Sequence, residues 1–346
     1  MRTRRLSWIP LRLPRPLLLS ASVLALFGLV FILICWPSAH AQTFGIRPDT
    51  WVTNGQVNAI VRSDTTTYIG GSFTYVGPYT GHAVLLSATT GQPITNLAQP
   101  NGAVMAIAPD GMGGWYLGGS FTRIGSINRN RIAHILPDGT LDTAWDPNAN
   151  GTVSAISVSG SNVYVGGAFT NVGGQARNRI AAIDVASGLA TSWDPNANST
   201  VNAISVSGSN VYVGGDFTNV GGQARNRIAA IDVASGLATS WDPNANSTVN
   251  AISVSGSNVY VGGAFTNVGG QARNRIAAID VASGNADPWD PAPDNTVTSV
   301  FTYGPTIYVG GTFANISGGE RSSFAEFGYP PPSVTGISPD SGNRGE

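Results

Sequence analysis

The chain has 346 residues, with 18 arginines and no lysine, 19 acidic residues, three histidines, one cysteine and a net charge of −1. Five of the arginines lie in the first 15 residues, so loss of the N-terminal segment leaves 13 basic against 19 acidic residues, a net charge of −6. A mildly acidic chain with dispersed charge excludes the basic footprint of a nucleic-acid binder and argues against a polybasic membrane surface.

Arg2, Arg4, Arg5, Arg12 and Arg15 precede an apolar run from Leu17 to Trp36, and Ala39-His40-Ala41 supplies a small-x-small cleavage site. This pattern predicts a secretory signal peptide over 1–41 and a secreted or cell-surface protein with no membrane segment after cleavage. The length of the apolar run leaves an uncleaved N-terminal membrane anchor as the alternative. Cys35 falls in the removed segment, because Ile34 stands where a lipoprotein signal needs a small residue. The mature chain then has no cysteine, hence no disulfide framework and no thiol nucleophile.

From residue 42 onward the chain is organised by repetition. Tyr164-Val-Gly-Gly-Ala-Phe-Thr170 recurs every 48 residues, with its tyrosine at Tyr68, Tyr116, Tyr164, Tyr212, Tyr260 and Tyr308. Residues 152–199 and 200–247 differ only at Ser154/Asn202 and Ala168/Asp216. A fixed period of this size marks a repeat architecture. No segment of the mature chain carries a sustained helical period, and short apolar runs alternate with turn residues, as in an all-β protein.

One unit, residues 200–247, reads as four strands. Thr200–Ser207 is the first, Gly208-Ser209-Asn210 a tight turn, and Val211-Tyr-Val213 starts the second, with Gly214-Gly215 placed for a bulge or a close backbone approach. Asn219–Arg225 is a polar loop, Arg227–Val233 the third strand and Leu237–Trp241 the fourth. Four antiparallel strands in 48 residues describe a β-propeller blade. Trp241, Phe217, Ile228 and Ile231 are the expected packing residues between blades.

Ile46–Trp51 resembles a fourth strand, whereas the last repeat lacks one before Tyr329-Pro-Pro-Pro332. The strand missing at one end is thus supplied at the other. The reading is a six-bladed propeller over 42–328, closed by an N-terminal strand that completes the last blade and protects its edge. A Pro-rich linker follows at 329–332.

The string Tyr164–Thr170, followed by Gly173-Gly-Gln-Ala-Arg-Asn-Arg-Ile-Ala181 and Trp193-Asp-Pro195, resembles the bacterial delta-60 repeat, a β-propeller family of unknown function. The resemblance covers nearly all of 43–328. The first copy departs from it, with Tyr79-Thr-Gly-His82 in place of the Arg-Asn-Arg loop and Leu97 in place of the tryptophan. Fungal cortical polarity-marker proteins are similar over the same strands, more weakly. Pro332–Gly342 resembles the opening of an IPT/TIG immunoglobulin-like domain, which implies a domain at 333–346 that continues past Glu346 in a larger bacterial surface protein.

Each polar constellation has two readings. Ala182–Gly188 followed by Trp193 resembles the tryptophan-docking motif of quinoprotein propellers, with one extra residue before the tryptophan; the plain reading is a strand, a turn and a packing tryptophan. Asp146-Pro-Asn-Ala-Asn-Gly151 matches the first half of an EF-hand loop, which makes Asp146, Asn148 and Asn150 a weak calcium candidate. The twelfth position is Ser157 and not a bidentate glutamate, so an Asx turn between blades is the competing reading. Catalytic carboxylates are scarce: the glutamates are Glu320, Glu326 and Glu346, and Asp184, Asp232 and Asp280 recur with the repeat. Asp216, the odd residue of its repeat, reads as drift after duplication. His82 and His134 read as isolated, without a ligand cluster or a nucleophile.

The candidate binding residues are Gln175, Arg177 and Asn178, repeated as Gln223, Arg225, Asn226 and Gln271, Arg273, Asn274. On a propeller they form an arc on one face, where amides and guanidinium groups can hydrogen-bond sugars or carboxylates. The competing reading is that Arg and Asn tie down the loop. The sequence therefore predicts a non-catalytic binding or structural module, monomeric within a larger surface protein, for extracellular glycan or protein. A glycan-active hydrolase, a quinoprotein-like oxidoreductase and an inert spacer are the alternatives.

Overall fold

Three antiparallel strands and a short two-stranded ribbon make up the recurring unit. The computed structural model describes residues 55–63, 66–72, 82–87, 93–94, 97 and 99–328. The signal peptide, the N-terminal closing strand, the Pro-rich linker and the immunoglobulin-like segment lie outside them. Every regular element among the described residues is a strand, and none is a helix long and apolar enough to cross a membrane.

In the repeat that begins at Val201, the first strand, Val201–Ser207, pairs with the second, Asn210–Gly215, and the second pairs with the third, Ile228–Asp232. Gly208 joins the first two at φ +58°, the left-handed conformation that a two-residue hairpin turn requires. Equivalent sheets occur in each of the six repeats among the described residues. Their first strands pack side by side in chain order, from Val57–Ser63 through Val104–Pro109, Val153–Ser159, Val201–Ser207 and Val249–Ser255 to Val297–Tyr303.

Two features differ in detail from the sequence reading. The fourth strand expected at Leu237–Trp241 is a single antiparallel bridge, Ile231↔Ala238. Ala238 gives its N–H to the Gly221 carbonyl and Thr239 gives its N–H to the Ala230 carbonyl, so the segment is fastened by single bonds without an extended ladder. The first repeat alone carries a short fourth strand in its sheet, Pro93–Ile94. The polar loop 219–225 is itself ordered as a ribbon, Asn219–Val220 against Gln223–Ala224.

The Gly-Gly pair meets both expectations set for it. The register shifts between Val201 and Ala203 opposite Gly215 and Gly214, which is a bulge. A Cβ on Gly214 would lie 2.5 Å from Val249 Cγ1 in the next repeat, and one on Gly215 would lie 2.1 Å from the Thr200 carbonyl oxygen. One glycine lets neighbouring sheets approach and the other lets two strands approach.

The core lies between successive sheets. One cluster joins Tyr164, Ile180, Ala182 and Trp193 of one repeat to Val201, Ile204, Val213 and Phe217 of the next. Phe217, Ile228 and Ile231 are fully buried, and each such side chain contributes roughly 1.5–3 kcal/mol. Leu97 takes the tryptophan's place in the first copy and is also buried. Asp216 is a cross-repeat bridge: it accepts hydrogen bonds from the Thr248 hydroxyl and, at 3.4 Å, from Asn202 Nδ2.

Candidate functional site

The ribbon and the Asp-Pro loop of the preceding repeat form one interlocked surface unit. In the repeat that begins at Val153 the ribbon is Asn171–Val172 paired with Gln175–Ala176. Asn150, from the loop before it, accepts the N–H groups of Thr170 and Asn171 at 2.8 and 3.0 Å and donates to the Thr170 hydroxyl at 2.9 Å. Asn198 and Asn246 hold the next two ribbons in the same way.

The three predicted residues of each arc position have separate fates. Arg177 donates through Nη2 to the Thr191 carbonyl at 2.6 Å and through Nη1 to the Ala176 carbonyl at 2.8 Å, with Asp194 3.8 Å away. Arg225 and Arg273 repeat these bonds with Thr239 and Ala224 and with Asp287 and Ala272. Asn178 donates to Asn196 Oδ1 at 2.9 Å, and Asn226 does the same to Asn244. The guanidinium groups and these two amides are thus engaged with the chain itself. Gln175, Gln223 and Gln271 are exposed on the ribbons, as are Asn171, Asn219 and Asn267 beside them.

The oxygens of the calcium candidate have protein partners. Asp146 Oδ2 lies 3.0 Å from Arg129 Nη1, Asn148 Oδ1 accepts from Asn130 Nδ2 at 2.8 Å, and Asn150 Oδ1 accepts the two ribbon N–H groups. Asn148 sits at φ +50°, a left-handed residue that ends the Asp-Pro turn. The periodic aspartates are turn acceptors. Asp184 takes the hydroxyl and N–H of Ser187 at 2.7 and 2.8 Å, and these bonds hold its carboxyl below the usual carboxylate range. Asp232 and Asp280 do the same with Ser235 and Ser283.

The tryptophan-docking resemblance corresponds to a real contact between repeats. Trp145 Nε1 donates to the Asp184 carbonyl at 3.1 Å, and its ring lies against Gly188, where an added Cβ would meet Trp145 Cδ1 at 3.3 Å.

One cluster escaped the sequence reading. His134 is not isolated: its Nδ1 lies 2.9 Å from Asp142 Oδ2 and its Nε2 lies 3.1 Å from Asp110 Oδ2. Its ring stacks on Tyr116 at 4.5 Å, and Trp145 closes the group edge-on. Burial raises the Asp142 carboxyl, but bonds from His134 and from the N–H groups of Ala144 and Trp145 outweigh it and leave a net lowering. Burial first, then the carboxylates of Asp110, Asp142 and Asp184, push Tyr116 up to about 12. The signal was available as a break in the repeat: His134 occupies the place of Ala182, Ala230 and Ala278, all opposite the repeat's tyrosine. Among the described residues no group of three or more His, Cys, Asp or Glu side chains is arranged to hold a metal.

With this geometry in place, the comparisons with known proteins give the fold and no activity. A family model described as a β-propeller domain of unknown function, DUF5122, matches residues 113–144 and 210–229. The first stretch holds the second and third strands of one repeat, and the second runs from the second strand of another, Asn210–Gly215, to the start of its third, Ile228–Asp232. The WD40 domain of Neurospora crassa Pan2 is similar in structure, with a TM-score of 0.51 and 14% identity over 75% of this chain and 73% of that one. A computationally designed protein, Ika8, aligns with a TM-score of 0.46 and 15% identity over 79% of this chain and 83% of its own. A search of curated proteins finds no match. The chain is a β-propeller repeat protein.

Proposed function

We propose that this propeller is a non-catalytic binding module, exported by its N-terminal segment and displayed outside the cell ahead of an immunoglobulin-like domain. The observation that carries the reading is the division of labour in the repeat. Periodic arginines and aspartates serve the chain's own turns, and the ribbons leave exposed carboxamides at the surface. Recurrent carboxylates that each use one oxygen to hold a serine of their own turn favour a binding role over the paired acid and base of a glycan hydrolase. The delta-60 reading and the bacterial surface context come from the repeat motif and from Pro332–Gly342.

The same reading takes the propeller as a closed ring of six blades, with Ile46–Trp51 completing the last sheet. Closure explains how a chain of identical units avoids two open edges. Particle images of the full chain with six lobes around an axis are the expected outcome, and an open arc overturns it.

The binding role is tested by applying the full chain to glycan and matrix-protein arrays, with and without calcium. Capture on a glycan or protein class is expected. Failure to bind any member leaves the spacer reading. Turnover of an arrayed glycan favours the hydrolase, and dye-linked oxidation of an alcohol favours the quinoprotein alternative.

A further inference from the structure

Three consecutive ribbons, at 171–176, 219–224 and 267–272, present the same surface chemistry. Each exposes one Asn and one Gln, and neither side chain is drawn into the hydrogen bonds that hold the ribbon. The charge nearest to each set is spent inside: Arg177, Arg225 and Arg273 point their Nη groups at backbone carbonyls, with side chains only 13–14% exposed. The flanking repeats break the pattern. Arg123 and Ile127 replace the amides on one side, and Gly319 and Glu320 stand in place of Gln271 and Ala272 on the other.

The ribbons are also rigidly placed. Each is bonded by the Asn of the preceding loop, and Gly173, Gly221 and Gly269 donate their N–H groups to the carbonyls of Pro147, Pro195 and Pro243. A surface group held this way loses little conformational freedom on binding.

Resting on the binding-module reading, we infer that these three ribbons form a trivalent site for a neutral, hydroxyl-rich polymer, a polysaccharide without carboxylate or sulfate groups. A carboxamide both donates and accepts, which matches adjacent sugar hydroxyls. The absence of free charge on the three ribbons favours an uncharged ligand, and equal spacing along the repeat favours a ligand that itself repeats. Each ribbon alone offers few contacts, so retention depends on simultaneous engagement of all three.

The test uses the full chain in affinity electrophoresis through gels containing dextran, mannan, galactan or xylan, with polygalacturonate and gelatin as the charged and protein comparators. Retardation by at least one neutral polymer is expected, little changed between low and high salt. The Gln175→Ala, Gln223→Ala and Gln271→Ala variants should each weaken it by several-fold, and the triple variant by about 100-fold or more. Unchanged melting temperatures establish that these exposed substitutions leave the fold intact. Retardation that the triple variant does not alter overturns the ribbon site while leaving the binding module standing. Retardation only by polygalacturonate or gelatin overturns the neutral ligand. No retardation in any gel, together with silent arrays, overturns both.

Discussion

Trp193 Nε1 donates to the backbone carbonyl of Asp232, 39 residues on, at 2.9 Å. The indole leaves its own repeat, rests edge-on against Tyr164 at 5.1 Å and ends over Gly236 in the next one. A single side chain therefore joins two sheets by apolar area and by a hydrogen bond. Trp193→Phe keeps most of the area and loses the bond, for an expected loss of about 1 kcal/mol. Trp193→Ala loses both, for about 3–5 kcal/mol. Denaturant unfolding of the two variants separates the contributions, and a silent Trp193→Phe would show that the indole N–H contributes nothing.

Gly214 and Gly215 should respond differently to the same added methyl group. The Cβ of Gly214→Ala meets a side chain of the next repeat, Val249, whereas that of Gly215→Ala meets a backbone carbonyl in a paired strand, still closer. The first substitution should cost about 1–3 kcal/mol and the second more. Thermal melts of the two proteins check the order, and a larger loss for Gly214→Ala would place the tighter constraint between sheets and not within one.

Arg177 should matter for stability before it matters for any ligand. Its two bonds to backbone carbonyls are charge-assisted, and losing them should cost about 1.5–3 kcal/mol in Arg177→Ala. The Asp194 contact, at 3.8 Å with a half-exposed carboxylate, should add little, so Asp194→Asn should be nearly silent. Chemical denaturation reads both. A silent Arg177→Ala would return the guanidinium to the list of groups free to bind.

The His134 cluster should shape both ends of the pH–stability curve. Asp142 is held below its unfolded value, so its contribution is present above that value and fades as pH falls through the folded one. Asp142→Asn should flatten the acid limb below about pH 4. Tyr116, pushed up to about 12, contributes below pH 10.0 and loses that contribution as pH rises through about 12. Tyr116→Phe should flatten the alkaline limb. Unfolding free energies across the pH range check both, and parallel curves for variants and parent would count against the assignment.

The period, the strand-rich unit and the apolar residues between sheets are legible in the sequence, because closely similar 48-residue copies take the same local structure. Phe217, Ile228 and Ile231 are legible as core from strand spacing alone, and Gly214-Gly215 as a close approach from the missing Cβ. The destinations of the polar groups are set by the fold. The path of Arg177 to Thr191 depends on the chain folding back over 14 residues, and that of Asn150 to Thr170 on two repeats lying side by side. Asp110, His134 and Asp142 are spread over 33 positions and meet because a hairpin turn, a third strand and the segment after it converge at one end of a sheet. Repetition specifies backbone and core through short-range pattern, whereas side-chain partners are set by distances across the fold that no period in the sequence encodes.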